Sequence, residues 1–139
     1  MARKIDTAVE FTSELNRCLP WLIEALHRAQ EQIDFKDILK GLVEREYQLW
    51  TTENAAAITS IITWEGKQVC CLFMIGGVKG KSLKEILAAR SILEPYAKSK
   101  GCSGLLGKGR AQWLQALTRI GFQEIQHVGD TDNIYFKGI

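Results

Sequence analysis

Seven apolar residues in succession, Val69-Cys70-Cys71-Leu72-Phe73-Met74-Ile75, run directly into Gly76-Gly77-Val78-Lys79-Gly80-Lys81 and then Ser82. An apolar run without alternation reads as a strand buried on both faces, which demands covering layers on either side. Ser82 with Glu85 three residues on matches an S-x-x-E capping box, so a helix is expected from Ser82. Strand, Gly/Lys loop and capped helix form the layout that presents backbone N–H groups to an anion. The rest of the chain can be arranged around this joint.

At 139 residues the chain is expected to form one domain, 1–139, with an ordinary globular composition. No apolar run approaches the ~18 residues of a membrane helix. The start, Met-Ala-Arg-Lys-Ile-Asp, is basic but lacks the apolar core of a secretory signal. Cys70 and Cys71 are neighbours in a strand and point to opposite faces, so with Cys18 and Cys102 they read as buried thiols in a reducing compartment. The net charge of +2 is unevenly spread: residues 67–119 hold ten Lys/Arg against Glu85 and Glu94, whereas residues 1–66 hold seven against eleven Asp/Glu. A basic half attracts a nucleotide-like cofactor, nucleic acid or an acidic protein, and solvated surface lysines account for the same count.

Residues 7–18 read as a short helix or lead-in, and Pro20 suits the first turn of a second helix carrying Trp21, Leu22, Ala25, Leu26 and Ala29 on one face. Asp34 caps a third helix to about Arg45. Tyr47 to Trp50 and Ala56 to Trp64 read as strands, and a tight Glu65-Gly66 turn leads into the opening strand, giving an antiparallel three-strand meander. A helix from Ser82 to about Lys98, kinked near Pro95 and stopped by Gly101, crosses over to a parallel strand at Ser103–Gly107. A last helix, Arg110 to Arg119, ends at Gly121, and Phe122–Val128 with Asn133–Lys137 close the chain as a hairpin around Gly129-Asp130.

With a short or missing first strand, this order resembles the GNAT N-acetyltransferase superfamily from about Trp21 to Lys137. The fold expected is α/β (α+β): a mixed, mostly antiparallel sheet with about four helices, the meander, a βαβ crossover and a C-terminal hairpin. The Gly/Lys turn lies where GNAT enzymes hold the pyrophosphate of acetyl-CoA, and Trp113-Leu114…Leu117…Gly121-Phe122 looks like the family's last helix running into its Gly-Phe strand start. Gln48-Leu49-Trp50, Ile75-Gly76-Gly77, Ala97-Lys98…Gly101-Cys102 and Gly109-Arg110…Trp113-Leu114 resemble phrases of short GNAT-like proteins of tailed bacteriophages and prophages.

The resemblance makes Gly76, Gly77, Val78, Lys79, Gly80, Lys81 and Ser82 the candidate coenzyme A pyrophosphate loop, with acetyl-CoA as the candidate cofactor. The loop departs from the family's Q/R-x-x-G-x-G/A signature: the leading Gln or Arg is absent and the spacing differs. Gly80-Lys81-Ser82 matches the end of a Walker A loop, but the glycine required five residues earlier would fall on Ile75. Direct acyl transfer needs a base for the amine and an acid for the thiolate. The family's frequent acid, a tyrosine four residues before Gly-Phe, corresponds to Leu117; Arg110 stands at the frequent starting Asn of the last helix, and Trp113 fills a place usually small. The opening strand holds no carboxylate, Glu65 sits in a solvated hairpin turn, and Tyr96 and Tyr135 read as packing residues with hydroxyls in water. No catalytic residue is therefore assigned. His27 and His127 lack metal-ligand spacing, so no metal is expected. No Gly-x-Ser-x-Gly elbow is present, and aromatics at core spacing argue against nucleic acid.

The sequence reading favours a phage-type GNAT-fold protein with lapsed catalytic residues, acting as an interaction or virion-associated protein. Its expected partners are virion or assembly proteins and its expected place the host cytoplasm or the virion, away from membranes. The alternative is an acyl-CoA-dependent N-acyltransferase acting on an amine.

Overall fold

The computed structural model describes residues 2–5, 8–28, 34–128 and 132–139. In chain order it comprises β1 (Arg3–Lys4), α1 (Ala8–Arg28), α2 (Phe35–Val43), β2 (Tyr47–Thr51), β3 (Ala55–Trp64), β4 (Lys67–Gly77), α3 (Ser82–Ser99), β5 (Gly104–Arg110), a 3-10 turn (Ala111–Trp113), α4 (Leu114–Arg119), β6 (Gln123–Val128) and β7 (Asp132–Gly138). The strands form one sheet in the order β1-β2-β3-β4-β5-β7-β6. Among the described residues only β4 and β5 pair in parallel; the other pairings are antiparallel. The mixed α/β architecture with four helices is the one expected. The Gly129-Asp130 turn and Ala29 lie outside the described residues.

The apolar run of β4 is covered on both faces, as its composition requires. On one side Met74, with Ala56 and Ile58 of β3, packs against Cys18, Leu22 and Ala25 of α1 and Ile38 and Leu42 of α2. On the other, Cys70, Leu72 and Ile75 pack with Leu93 and Ala97 of α3 and with Trp113 and Leu117. Asp34 caps α2 as expected, its carboxylate accepting the Lys36 N–H at 2.9 Å.

Residues 8–28 form one helix, not a lead-in and a second helix begun by Pro20. Phe11, Leu15, Cys18, Leu22 and Ala25 keep a continuous three-to-four-residue stripe against the sheet, and this outweighs the proline. Pro20 is on the exposed side, where water can satisfy the carbonyl its missing N–H leaves unpaired. The helix α3 likewise runs through Pro95 and ends where Gly101, at φ 79°, takes the left-handed conformation. Cys102 N–H then reaches Ala97 O at 2.9 Å and Gly101 N–H reaches Lys98 O at 3.0 Å, a Schellman closure. Gly121 closes α4 in the same way, through Phe122 N–H to Leu117 O at 3.0 Å. Arg110 is not the start of the last helix: it completes β5, pairing with Asp132. No helix among the described residues is long and apolar enough to cross a membrane.

Candidate functional site

The strands β4 and β5 are hydrogen-bonded only from Val69↔Gly104 to Leu72↔Gly107. Beyond that pair each follows a different neighbour. Residues 74–77 of β4 stay with β3, and residues 108–110 of β5 stay with β7. A bulge opens the division, since Ile58 faces Met74 while Thr59 faces Leu72, leaving Phe73 as the extra residue. Phe73 and Met74 both pack toward α1 and α2, whereas Leu72 and Ile75 face α3. The result is a fork in the middle of the sheet with the Gly/Lys loop at one tip and Arg110 at the other.

The seven loop residues divide into two groups. Gly76 and Gly77 serve packing: a Cβ on Gly76 would overlap the carbonyl of Trp21 on α1, and one on Gly77 would overlap Asn54 O and the Ser82 side chain. Val78 is anchored through its N–H to Asn54 O at 2.8 Å, and its own carbonyl accepts Lys81 N–H at 3.0 Å and Ser82 N–H at 2.9 Å. Lys79 and Gly80 form the projecting tip; Gly80 has φ 85° and open space around it. Among the described residues no protein acceptor takes the Lys79 or Gly80 N–H. No side chain caps the start of α3.

The expected Ser82–Glu85 capping box therefore does not form. Glu85 turns to the β2–β3 turn, where it accepts the Thr52 hydroxyl, Asn54 N–H at 2.8 Å and Asn54 Nδ2 at 2.6 Å. Three donors converging on one carboxylate satisfy it better than a single backbone N–H would. Partial burial raises the Glu85 pKa, but the bonds from Thr52 and Asn54 outweigh it and hold the carboxyl below its ordinary value. From the opposite side Arg17 donates to Thr52 O at 2.7 Å and Glu53 O at 2.9 Å, itself held by Glu14 at 2.8 Å. This two-sided clamp fixes Asn54, and Asn54 fixes Val78. With Glu85 engaged elsewhere, the positive end of the 18-residue α3 is left facing the loop.

Arg110 approaches from the other tip. Its guanidinium lies 5.8 Å from the Trp113 ring, 3.8 Å from Glu24 of α1, and its Nε is buried with no hydrogen-bond partner. Lys79, Gly80, Ser82, Arg110, Gln112 and Trp113 help line a cleft of about 310 Å³. Of the three loop-region lysines, Lys79 lines this cleft, while Lys81 and Lys84 are exposed beside it. Deeper in, an apolar cavity of about 50 Å³ lies between the fork and α3, with Ile75, Leu87, Gly107, Gly109, Trp113 and Tyr135 among its walls. Trp113 is common to both spaces, its indole packed on Gly109, where a Cβ would sit 2.8 Å from the ring. A cationic cleft and an apolar cavity thus share Trp113 as a wall.

The acid position that the family resemblance assigns is occupied by Leu117, buried in the core. Tyr135 departs from expectation: its hydroxyl is not in water but donates to Arg110 O at 2.8 Å and accepts from Asn133 Nδ2 at 3.3 Å, with the ring 2% exposed. It comes to the fork because β7 pairs it with Gly107. Tyr96 instead lies near the sheet edge, edge-on to Trp50 at 5.0 Å with Lys4 and Lys100 over its ring. Glu65 and His27 are exposed away from the fork; the His127 side chain is outside the described residues. Burial pushes the Cys70 thiol up to about 12 and Cys18 up to about 11, and raises Cys102, which disfavours a thiolate at each. Among the described residues no cluster of His, Cys, Asp or Glu could hold a metal. Arg110, Gly107 and Tyr135 were not singled out as site residues from sequence; the available signal was the spacing of Gly104, Gly107 and Gly109 along one buried strand.

No protein-family model matches the chain, and no curated protein matches it in sequence. Solved structures do. An N-acyl amino acid synthase from uncultured soil microbes superposes with a TM-score of 0.70 at 11% identity, covering 99% of this chain and 90% of that one. The ribosomal-protein-S18-alanine N-acetyltransferase of Escherichia coli gives 0.62 at 18% identity, covering 100% and 93%. A chain of the NatC complex bound to Gag peptide and CoA gives 0.63 at 10% identity, covering 100% and 98%. None of these three structures is named as a bacteriophage protein. From end to end, the chain has the fold of the GNAT acetyltransferases.

Proposed function

We propose that this protein is an acyl-CoA-dependent N-acyltransferase. The observation that carries the reading is the pair of spaces at the fork, a cleft with Lys79 and Arg110 among its walls and an apolar cavity that shares Trp113 with it. An acyl-CoA has the same polarity order, with anionic phosphates at one end and an apolar acyl group at the other. The orphaned Nε of Arg110, the Lys79 and Gly80 N–H groups and the uncapped start of α3 suit phosphate oxygens. Folds of this kind that act on acyl groups or bind CoA support the reading by analogy.

Bound CoA thioester supplies an activated acyl carbonyl. The residues of this chain hold and orient it: the loop and Arg110 fix the phosphates, and the fork walls exclude water from the thioester. When the acceptor amine attacks the carbonyl carbon, the C–N bond forms and the C–S bond breaks, with the electron pair leaving on sulfur. One proton must leave the nitrogen and one must reach the thiolate. Tyr135 is the hydroxyl that lines the apolar cavity and is the proposed donor to sulfur. The proton released by the amine leaves to solvent at the cleft, and the tyrosinate takes one back from solvent there, the Arg110 carbonyl serving only to accept and orient the hydroxyl.

The double variant Lys79→Glu/Arg110→Gln tests the reading. Acetyl-CoA should raise the melting temperature of the parent protein by several degrees, since a ligand of the native state stabilises it, and should leave the variant unmoved. An equal rise in both contradicts this placement of the phosphates. Tyr135→Phe should lower kcat by roughly 100-fold with KM for the thioester little changed; an unchanged kcat removes Tyr135 from the chemistry.

A second reading, a non-catalytic phage-type interaction protein, draws on one observation: Leu117 occupies the family's tyrosine position and is buried in the core. It expects no CoA-dependent stabilisation and co-purification with virion or assembly proteins.

A further inference from the structure

Resting on the transferase reading, we infer that the acyl group this fork takes is a straight alkyl chain of roughly four to eight carbons, lodged against Gly107 and beneath α3. Gly107 is the first observation. It is buried in β5, its φ is not positive, and a Cβ there would meet nothing closer than Leu72 at 3.8 Å. Its neighbours in the same strand differ: a Cβ on Gly104 would overlap Phe136, and one on Gly109 would press on Trp113. Neither conformation nor packing requires glycine at 107. A strand glycine that its own conformation and packing do not require marks a place where something outside the chain can approach closely.

The space beside Gly107 is the second observation. The cavity of about 50 Å³ starts where the β4–β5 pairing stops, at Leu72 and Gly107, and extends inward to Leu93 and Leu105. A second cavity of about 20 Å³ shares Leu72, Ile86 and Leu93 with it and continues toward Trp50. Its walls include Ala55, Ala57 and Ala89, small side chains that leave the room beneath α3. One water-sized group needs ~10–15 Å³ of such volume, so the two cavities together hold roughly five of them. The acetyl methyl would fill only the entrance. Water is a poor occupant, because it needs two to four polar partners and the walls offer almost none. A flexible alkyl chain extending from a thioester at the fork matches both the lining and the length.

The test is a calorimetric series on the intact protein with CoA and its acetyl, butyryl, hexanoyl and octanoyl thioesters. Hexanoyl-CoA should bind at least about tenfold more tightly than acetyl-CoA, since each buried methylene adds affinity. Gly107→Val should erase this preference while leaving free CoA affinity within about threefold and the melting temperature unchanged or higher, as expected of a filled cavity. Ala89→Leu, at the far end, should shift the optimum to a shorter chain and provides the same check if the valine disturbs the strand. Affinity that is flat across the series, or a preference that survives both variants, overturns the inference while leaving the transferase reading intact. Failure of CoA and every thioester to bind overturns the transferase reading, and this inference falls with it.

Discussion

Glu85 joins α3 to the β2–β3 turn, and through Asn54 to the loop that approaches the cleft. Because its folded pKa is depressed, its contribution to stability is present above the unfolded carboxylate value and is lost as pH falls through the lowered folded value; Glu14, depressed chiefly by Arg17, adds to the same trend. Thermal stability should therefore decline on acidification below about pH 4.5, and Glu85→Gln should flatten that decline. Melting curves between pH 7 and pH 3 check it, and parallel slopes for the two proteins would assign the acid loss elsewhere. Glu85→Ala should cost about 1–2 kcal/mol at neutral pH, the Thr52 hydroxyl and Asn54 N–H being left without their acceptor. Glycines of the loop should differ in kind. Gly76→Ala drives a methyl into the Trp21 carbonyl and should cost about 1–3 kcal/mol, whereas Gly80→Ala meets no atom and carries only the strain of its positive φ, about 1 kcal/mol. Denaturant midpoints that rank these two in the opposite order would remove the packing role of Gly76.

At the scale of elements, much was legible in sequence because local chemistry and tertiary demand agree. The apolar run of β4, the Asp34 cap, the Glu65-Gly66 turn and the stops at Gly101 and Gly121 are set within a few residues of themselves. Glu65 and Gly66 both adopt positive φ, as a two-residue hairpin turn requires. Gly101→Ala should accordingly lower stability by about 1 kcal/mol and loosen only the end of α3, which amide exchange at Cys102 would report. What stayed hidden was decided across long sequence separations. A one-residue bulge at Phe73 leaves no mark in a run that is apolar throughout. The Ser82–Glu85 spacing is a sound capping signal, defeated by a three-donor site more than 30 residues away. Pro20 reads locally as a helix start, but the stripe from Phe11 to Ala25 carries the helix through it. Tyr135 is placed by β7 pairing, and its bond to Arg110 O lies 25 residues from home. The loop was found in sequence, but of its residues Gly76 and Gly77 serve packing, and the opposing wall at Arg110 came only with the fold.

Across the whole molecule, the two faces of the sheet are finished differently. The face under α1 and α2 buries Cys18, Leu22 and Ile58 fully and carries an open cleft of about 550 Å³ at its margin, beside Phe11, Leu42 and Tyr47, whereas the face under α3 keeps both small apolar cavities and only Leu93 and Ala97 of that helix are buried. Of the ten Lys/Arg in residues 67–119, Lys79 and Arg110 line the cleft, and Lys81 and Lys84 are exposed near it in the loop and first turn of α3. Binding of an anionic ligand there should weaken as salt rises from 0.05 to 0.5 M, since the screening length shrinks well below ~10 Å. The measurement that tests the central claim most directly is hydrogen–deuterium exchange with and without saturating CoA. Slowed exchange is expected at Val78–Leu83 and at Gly107–Trp113, the two tips of the fork, with the β6–β7 edge unchanged. Absence of protection at both tips, or protection confined to another surface, would contradict the account.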